Sequence, residues 1–300
     1  MAYYRGFAIG GTSIPVSGVS VSTARNPVAE ETMGSVGQPR IYGGAYLATG
    51  QLDAPYRKTA LDPLRESLLG GSEKIEELSE EPWISNALLS DEYNNGVAFD
   101  RFMITSMSFD LKVKDYARSS FQFIAGKATK GTGVSQTQFS DDDPILLFYN
   151  AIVSVGDEEI KSSGVTINIE RPIDQDYYIL GSPLLYNYCQ SGPATVTGTL
   201  TFAPKEWEHL NFALDSIKDD TYEPSASNLN SLNFGGGDPC SMMNMKVQLH
   251  TPCGGAVAQT ITVDSIKLQD LSISGQGRSK FDKQLNWTAE IADDRNIHFT

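Results

Sequence analysis

Basic residues, cysteine and histidine are scarce in this 300-residue chain. Its 23 Lys and Arg are outnumbered by 37 Asp and Glu, and the formal net charge is −14 at pH 7. This balance argues against binding nucleic acid by neutralising phosphates, which needs clustered Lys and Arg. The three cysteines form no CxxC pair, and an odd count argues against a disulfide framework, so we expect reduced, buried thiols.

Long apolar runs and catalytic signatures are also missing. No stretch approaches the ~18 apolar residues of a membrane span, and the N-terminus lacks the apolar core of a secretion signal. No GxSxG, P-loop or strand-linked GxGxxG motif occurs, and the three histidines share no metal-ligand spacing. We therefore predict a protein that is not an enzyme, with no catalytic, cofactor-binding or metal site and no membrane partner.

The chain resembles itself. Residues 9–21 (IGGTSIPVSGVSV) match residues 155–167 (VGDEEIKSSGVTI) without a gap, at an offset of 146. Further matches follow in the same order, and the last places Asp110-Leu111 on Asp270-Leu271 at an offset of 160. Ordered self-similarity on this scale is typical of duplicated domains.

From this self-similarity we predict two tandem domains, residues 1–143 and 144–300. Each is long enough to form a domain with its own core.

Hydrophobic periodicity predicts mainly β structure with one helix in each half. Apolar residues alternate with Thr over residues 194–202, which is typical of a half-buried strand. Asp62 as a cap and Pro63 as the first helical residue predict a helix in the first half. Apolar residues at helical spacing over residues 204–217 predict one in the second. A short acidic helix is also predicted over residues 72–78.

Each half contains a long segment that carries Gly, Pro and Tyr, at residues 25–43 and 171–191. Loops of this length inside compact domains are usually functional or flexible. We interpret both segments as projecting hairpin arms. The candidate assembly residues are Arg25, Pro27, Gly34, Tyr42, Gly43, Arg171, Pro172, Tyr177, Tyr178, Gly181, Tyr186 and Tyr188.

Several motifs of the second half carry a resemblance to a known family. They are Val155-Gly156, Ile160, Ser163-Gly164-Val165, Ile167, Leu180-Gly181-Ser182, Gly192, Gly198-Thr199-Leu200-Thr201-Phe202 and Trp287-Thr288-Ala289-Glu290-Ile291. These resemble the major tail tube proteins of long-tailed bacterial and archaeal viruses, in the form with two tube domains in one chain. The resemblance implies a β-sandwich or barrel-like sheet in each domain, with one flanking helix and a long hairpin arm. In such an assembly, the arms are suited to reach a neighbour or the next ring.

The resemblance also implies a function. Tube domains form rings of six that stack into a hollow tail tube, through which the viral DNA leaves the capsid without being bound specifically. A two-domain chain is then expected to fill a pseudo-hexameric ring with three copies, and an acidic lumen would repel the DNA. The implied partners are further copies of the chain and the terminator, tape measure and distal tail proteins. The implied location is the virion tail, after synthesis in the host cytoplasm.

Two other functions remain open from the sequence alone. One is the inner tube or terminator ring of a contractile device, which would need a sheath as partner. The other is a monomeric β-sandwich module for binding or adhesion, which would use the arm tyrosines as an exposed aromatic patch. Because only the tube and ring functions require polymerisation, the oligomeric state separates them from the binding module.

Overall fold

The structure is a computed structural model. It describes residues 4–25, 28–30, 40–42, 46–71, 73–79, 82–91, 95–131, 134, 143–156, 158–175, 178, 180, 182–185, 187–202, 243–251, 255–274, 282–292 and 295–300. The second predicted helix, over residues 204–217, lies outside the described residues.

The described residues are mainly β, which confirms the predicted fold class. The strands are β1 (Tyr4–Ile9), β2 (Thr12–Ile14), β3 (Gly18–Arg25), β4 (Val28–Glu30), β5 (Arg40–Tyr42), β6 (Tyr46–Pro55), β7 (Ala87–Asp91), β8 (Gly96–Lys112), β9 (Arg118–Gly131), β10 (Ala151–Val155), β11 (Glu158–Ile160), β12 (Ser162–Glu170), β13 (Ile173–Asp174), β14 (Cys189–Gln190), β15 (Thr195–Phe202), β16 (Met243–His250), β17 (Val257–Ser274), β18 (Asp282–Ala289) and β19 (Ile297–Phe299). The helix α1 spans Asp62–Leu69, and a 3-10 turn spans Phe148–Asn150. Fifteen strands form one antiparallel sheet, while β4–β5 and β13–β14 form separate pairs.

The order of strands across the sheet is the same in the two halves of the chain. In the first half it is β2-β1-β7-β8-β9-β6-β3, and in the second it is β11-β10-β16-β17-β18-β15-β12. We call strands at the same place in these two orders counterparts. The halves join where β12 pairs with residues 106–112 of β8, which we call its second part, with Val165 opposite Leu111. The sheet is therefore continuous through both halves.

A close contact between a glycine and an aromatic ring recurs at counterpart positions. Gly50 in β6 lies opposite Phe123 in β9, and Gly198 in β15 lies opposite Trp287 in β18. A Cβ built on Gly50 would lie 2.4 Å from the Phe123 ring, and one on Gly198 would lie 2.2 Å from the Trp287 ring. Both positions therefore require glycine, because the ring crosses directly over the backbone.

Irregularities of the backbone also recur, and they correct the sequence alignment. Arg101 in β8 and Ser265 in β17 have φ angles of 52° and 56°, although non-glycine residues rarely adopt positive φ. The pairing register shifts at Thr105 in β8 and at Gln269 in β17. In both cases the residue in β17 comes 164 positions after the corresponding residue in β8 (265 − 101 and 269 − 105). The offset of 160 predicted from Asp110-Leu111 is therefore wrong by four residues.

The core is one contiguous cluster of apolar side chains that includes residues from both halves. In the first half, the ring centroids of Phe102 and Phe123 are 4.9 Å apart. In the second half, Trp287 is only 1% exposed. Since the cluster continues across the β8–β12 join, each half covers part of the other's apolar surface.

Helix α1 packs on this core through Leu64 and Leu68, as their spacing predicts. Leu61 occupies the N-cap position, so Asp62 is the first helical residue rather than the predicted cap. The Asp62 carboxylate instead forms an ion pair with Arg65, one turn along the helix. The helix ends at Gly70, whose φ of 79° is favourable for glycine.

The predicted acidic helix over residues 72–78 is wrong for the described part of that segment, residues 73–78. This stretch is non-helical and lies against the C-terminus. The Phe299 N–H donates to the Glu73 carbonyl at 2.9 Å. The Ile75 N–H donates to Asn296 Oδ1 at 3.1 Å, and Asn296 Nδ2 donates to the Ile75 carbonyl at 2.8 Å. Contacts with the second half therefore override local helix propensity.

The recurring glycine gives a stability prediction. We expect Gly198→Ala to lower the free energy of unfolding by about 3 kcal/mol, because its Cβ would overlap the Trp287 ring and the Thr166 carbonyl. The matched control is Gly164→Ala, whose Cβ would lie 3.4 Å or more from every neighbour. Urea unfolding of both variants measures the difference. Equal losses would contradict the proposed constraint.

Candidate assembly surfaces

A continuous polar face runs across the middle of the sheet, opposite the core. Residues directly opposite each other in paired strands share one face. One row, for example, contains Gln51, Gln122, Ser106 and Glu170. Over β6, β9, β8, β12, β15 and β18, the polar side chains on this face include Thr49, Gln51, Asp53, Arg118, Ser120, Gln122, Ser106, Ser108, Asp110, Lys112, Thr166, Asn168, Glu170, Thr195, Thr197, Thr199, Thr201, Gln284, Asn286 and Thr288.

Charge is sparse on this polar face. Fifteen of these twenty side chains are Ser, Thr, Asn or Gln, and three carboxylates against two cations give a formal charge of −1. Both cations have acidic neighbours: Lys112 Nζ lies 2.8 Å from Asp110 Oδ2, and Arg118 Nη2 lies 2.9 Å from Asp115 Oδ2. Since the whole chain carries −14, most of its surplus of acid lies away from the polar face.

The polar face continues across the join between the halves. Seven residue pairs connect β8 with β12, from Lys112–Gly164 to Ser106–Glu170. Two side-chain hydrogen bonds cross the same join: Ser108 Oγ donates to Asn168 Oδ1 at 2.7 Å, and Thr166 Oγ1 donates to Asp110 Oδ1 at 3.0 Å. The join is thus held by backbone and side-chain hydrogen bonds together.

Several strand edges lack a strand partner within the described part of the chain, and two of them are the counterparts of the joined strands. β3 pairs with β6 on one side only, and residues 267–274 of β17 pair with β18 on one side only. Their counterparts, β12 and the second part of β8, pair with each other. Val21 in β3 is 37% exposed, whereas its counterpart Ile167 in β12 is 1% exposed. An open strand edge is a ready template for another strand.

The second predicted arm lies on the first half of the chain. Its strands β13 and β14 pair antiparallel, and Cys189 in β14 is exposed rather than buried as predicted. Leu185 and Tyr188 are buried together with Met103 and Ile124 of the first half. The Tyr188 hydroxyl donates to the Arg101 carbonyl, and the Tyr178 hydroxyl donates to a carbonyl of the first half at 3.3 Å. The arm therefore bridges the two halves.

Arg171 holds the start of the second arm. Its side chain is 1% exposed, and Nη2 donates to the Leu69 and Glu76 carbonyls at 2.7 and 2.9 Å. Leu69 ends helix α1, where unpaired carbonyls and the helix dipole favour a cation. Nη1 donates to Gln190 Oε1 at 3.2 Å. Burial lowers the pKa of the guanidinium, and these oxygens replace the water that it loses.

The first predicted arm is described in part. β4 and β5 pair antiparallel with Val28 opposite Tyr42, so they form the stem of a hairpin. Arg25, the first residue of this arm, is the last residue of β3. In the second arm, the Pro172 carbonyl accepts a hydrogen bond from the Ser191 N–H at 2.9 Å. The remaining candidate residues lie outside the described part: Pro27, Gly34, Gly43, Tyr177, Gly181 and Tyr186.

Sequence reasoning missed a buried polar contact between the halves. The Tyr56 hydroxyl donates to Gln259 Oε1 at 2.6 Å, and Arg65 Nη1 donates to the same hydroxyl at 3.2 Å. Burial raises the pKa of Tyr56 to about 12, so the phenol stays neutral. Tyr56 and Gln259 are 203 positions apart, and neither belongs to a motif that would have indicated the contact.

Comparison with known proteins identifies the family. A family model described as phage tail tube protein matches residues 83–289, which are 207 of the 300 residues. The matched region extends from the first half into the second and contains β8, β12, β15 and β18 of the polar face. The chain belongs to the phage tail tube protein family. No curated protein matches it.

Membership of this family confirms the resemblance to tail tube proteins, whereas the form with two tube domains in one chain stays a prediction. The tail tube protein is a structural component of the virion tail, self-assembles into a tube with other tail components, and is not an enzyme. Within the described residues, no helix is both long and apolar enough to cross a membrane.

The buried arginine gives a second stability prediction. We expect Arg171→Met to lower the free energy of unfolding by about 3 kcal/mol, because two buried carbonyls lose a charged donor. Arg171→Lys should recover part of this loss, since one ammonium cannot reproduce the fork of the guanidinium. The control is Arg295→Met, at a side chain that is 38% exposed, with an expected loss below about 1 kcal/mol. Urea unfolding tests all three, and equal losses for Arg171→Met and Arg295→Met would contradict the account.

Proposed function

We propose that three copies of this tail tube protein form one ring of the tube, with each chain filling two of six positions. The observation that carries the proposal is the same strand order in both halves, together with the recurring Gly50–Phe123 and Gly198–Trp287 contacts. We infer that residues 1–143 and 144–300 are tandem copies of one tube domain. The join between β8 and β12 then represents the contact between neighbouring ring positions.

The geometry of that join suits a ring. It pairs the late strand β8 of one half with the early strand β12 of the other, so the two surfaces in contact differ. A contact between unlike surfaces leaves one of each free, and its repetition produces either a closed ring or an open helix. β3 and residues 267–274 of β17 are the counterparts of the two joined surfaces, and each pairs on one side only within the described residues.

We propose that the polar face lines the lumen. It is the side of the joined strands that faces away from the core, and it continues across the β8–β12 join without interruption. Its two cations lie beside Asp110 and Asp115, so the face offers little to hold DNA phosphates. The acidic lumen expected from the net charge becomes a mainly neutral one, in which hydroxyl and amide groups hold water against the passing DNA.

We propose that both arms are assembly elements. The second arm already crosses from one half to the other and inserts Arg171 beside the end of α1. By the same relation, the first arm, which begins at Arg25 and includes Tyr42, would cross to a neighbouring chain. This role implies further partners. They are terminator and distal tail proteins at the ends of the tube, the tape measure protein inside the tube before ejection, and DNA that passes through without specific binding. Synthesis takes place in the host cytoplasm.

Electron microscopy tests the tube directly. Purified chain at raised concentration, in negative stain, should form hollow rings or tubes whose end-on averages show six lobes. A monodisperse monomer at every salt and protein concentration would contradict the proposal and favour the binding module. Adding a sheath protein separates a tail tube from the inner tube of a contractile device, because only the latter should be coated.

A further inference from the structure

We propose that the open edge of β3 in one chain pairs antiparallel with β17 of a second copy, with Val21 opposite Ile273. This inference rests on the proposed function and deepens it, since it names the surface and the register by which the ring closes. It follows from three observations: the two open edges, the join already formed by their counterparts, and the character of β3 itself.

The counterpart of each β3 residue follows from the pairing around the two glycines. Val21 lies opposite Gly50, and Ile167 lies opposite Gly198. Since Gly50 and Gly198 occupy counterpart positions, Val21 corresponds to Ile167, at an offset of 146 (167 − 21). The offset agrees with the gapless sequence match over residues 9–21.

The counterpart of each β8 residue follows from the two aromatic rings. Ile104 lies opposite Phe123, and Leu268 lies opposite Trp287. Ile104 therefore corresponds to Leu268, at an offset of 164 (268 − 104). The positive φ angles and the register shifts described above give the same offset independently. Phe109 in β8 accordingly corresponds to Ile273 in β17.

The offsets of 146 and 164 convert each residue pair of the internal β8–β12 join into the equivalent pair between two chains. Within the chain, Ile167 lies opposite Phe109, with Thr166–Asp110 and Asn168–Ser108 on either side. The equivalent pairs between two chains are Val21–Ile273, Ser20–Ser274 and Ser22–Ser272. All six residues belong to strands whose backbone the structure describes.

β3 itself is suited to a strand partner. Native proteins usually protect open edges with charged residues or proline, yet residues 18–24 read GVSVSTA and contain neither. Val21 is 37% exposed, whereas Ile167 becomes 1% exposed where its strand is paired on both sides. A second copy of this chain is the occupant that fits, because β17 presents the edge that β8 presents to β12.

Disulfide crosslinking tests the register. The background carries Cys189, Cys240 and Cys253 as Ser and is used after microscopy shows that it forms tubes. Two double variants are compared, Val21→Cys/Ile273→Cys and Ser22→Cys/Ser272→Cys. Because successive pairs in an antiparallel ladder alternate between closer and wider spacing, one of the two brings its sulfurs within bonding reach. Ser20→Cys/Ser272→Cys is the control, since it is two residues out of register, with Cα atoms about 7–8 Å apart.

We expect at least one in-register variant to give covalent products that end at trimers on a non-reducing gel, at least tenfold more than the control. Normal tubes in which neither variant exceeds the control would overturn the register and leave the proposed function standing. Wild-type chain that forms no tube would count against the proposed function itself.

A charge substitution tests the same edge without cysteine. We expect Val21→Lys to leave the folded monomer intact, by circular dichroism and thermal unfolding, and to reduce the sedimenting tube fraction at least tenfold. The control is Val257→Lys, at a valine that is 48% exposed on β17 outside the proposed contact, and it should assemble as wild type does. Normal assembly of Val21→Lys would overturn the proposal.

Discussion

A ladder of hydrogen bonds between β8 and β12 holds the two halves of this chain together. Backbone pairing between strands satisfies polar groups that would otherwise be left open at each edge. Because the ladder makes the sheet continuous, the apolar side chains beneath it merge into one core, and the polar side chains above it form one uninterrupted face. Arg171 and the Tyr56–Gln259 pair add buried hydrogen bonds between the same two halves.

The same ladder explains how a single chain can specify a larger assembly. A contact between unlike edges leaves one edge of each kind unpaired. Within the described residues, these two edges belong to β3 and to residues 267–274 of β17. In our account, the tube uses them as the chain uses β8 and β12. In this account, the contact between chains repeats the strand pairing that already joins the two halves within each chain.

Part of this structure was accessible from the sequence because it depends on local pattern. Strict alternation over residues 194–202 predicted β15, and Pro63 with Leu64 and Leu68 predicted α1. The last part of the internal alignment failed because an Asp-Leu pair followed by an aliphatic residue fits many half-buried strands. The positive φ angles, the register shifts and the Gly198–Trp287 contact fix the position instead. The acidic segment over residues 73–78 and Arg171 depend on partners far away in the chain, and no local pattern encodes such partners.

The mass of one assembled ring tests the central claim most directly. Each chain has a mass of 32.7 kDa, and three chains therefore give about 98 kDa. Scanning transmission electron microscopy of unstained tubes, combined with the axial repeat from their diffraction, yields the mass per ring. Our account predicts three chains per repeat. A mass of six chains per repeat, about twice that value, would contradict the assignment of two ring positions to each chain.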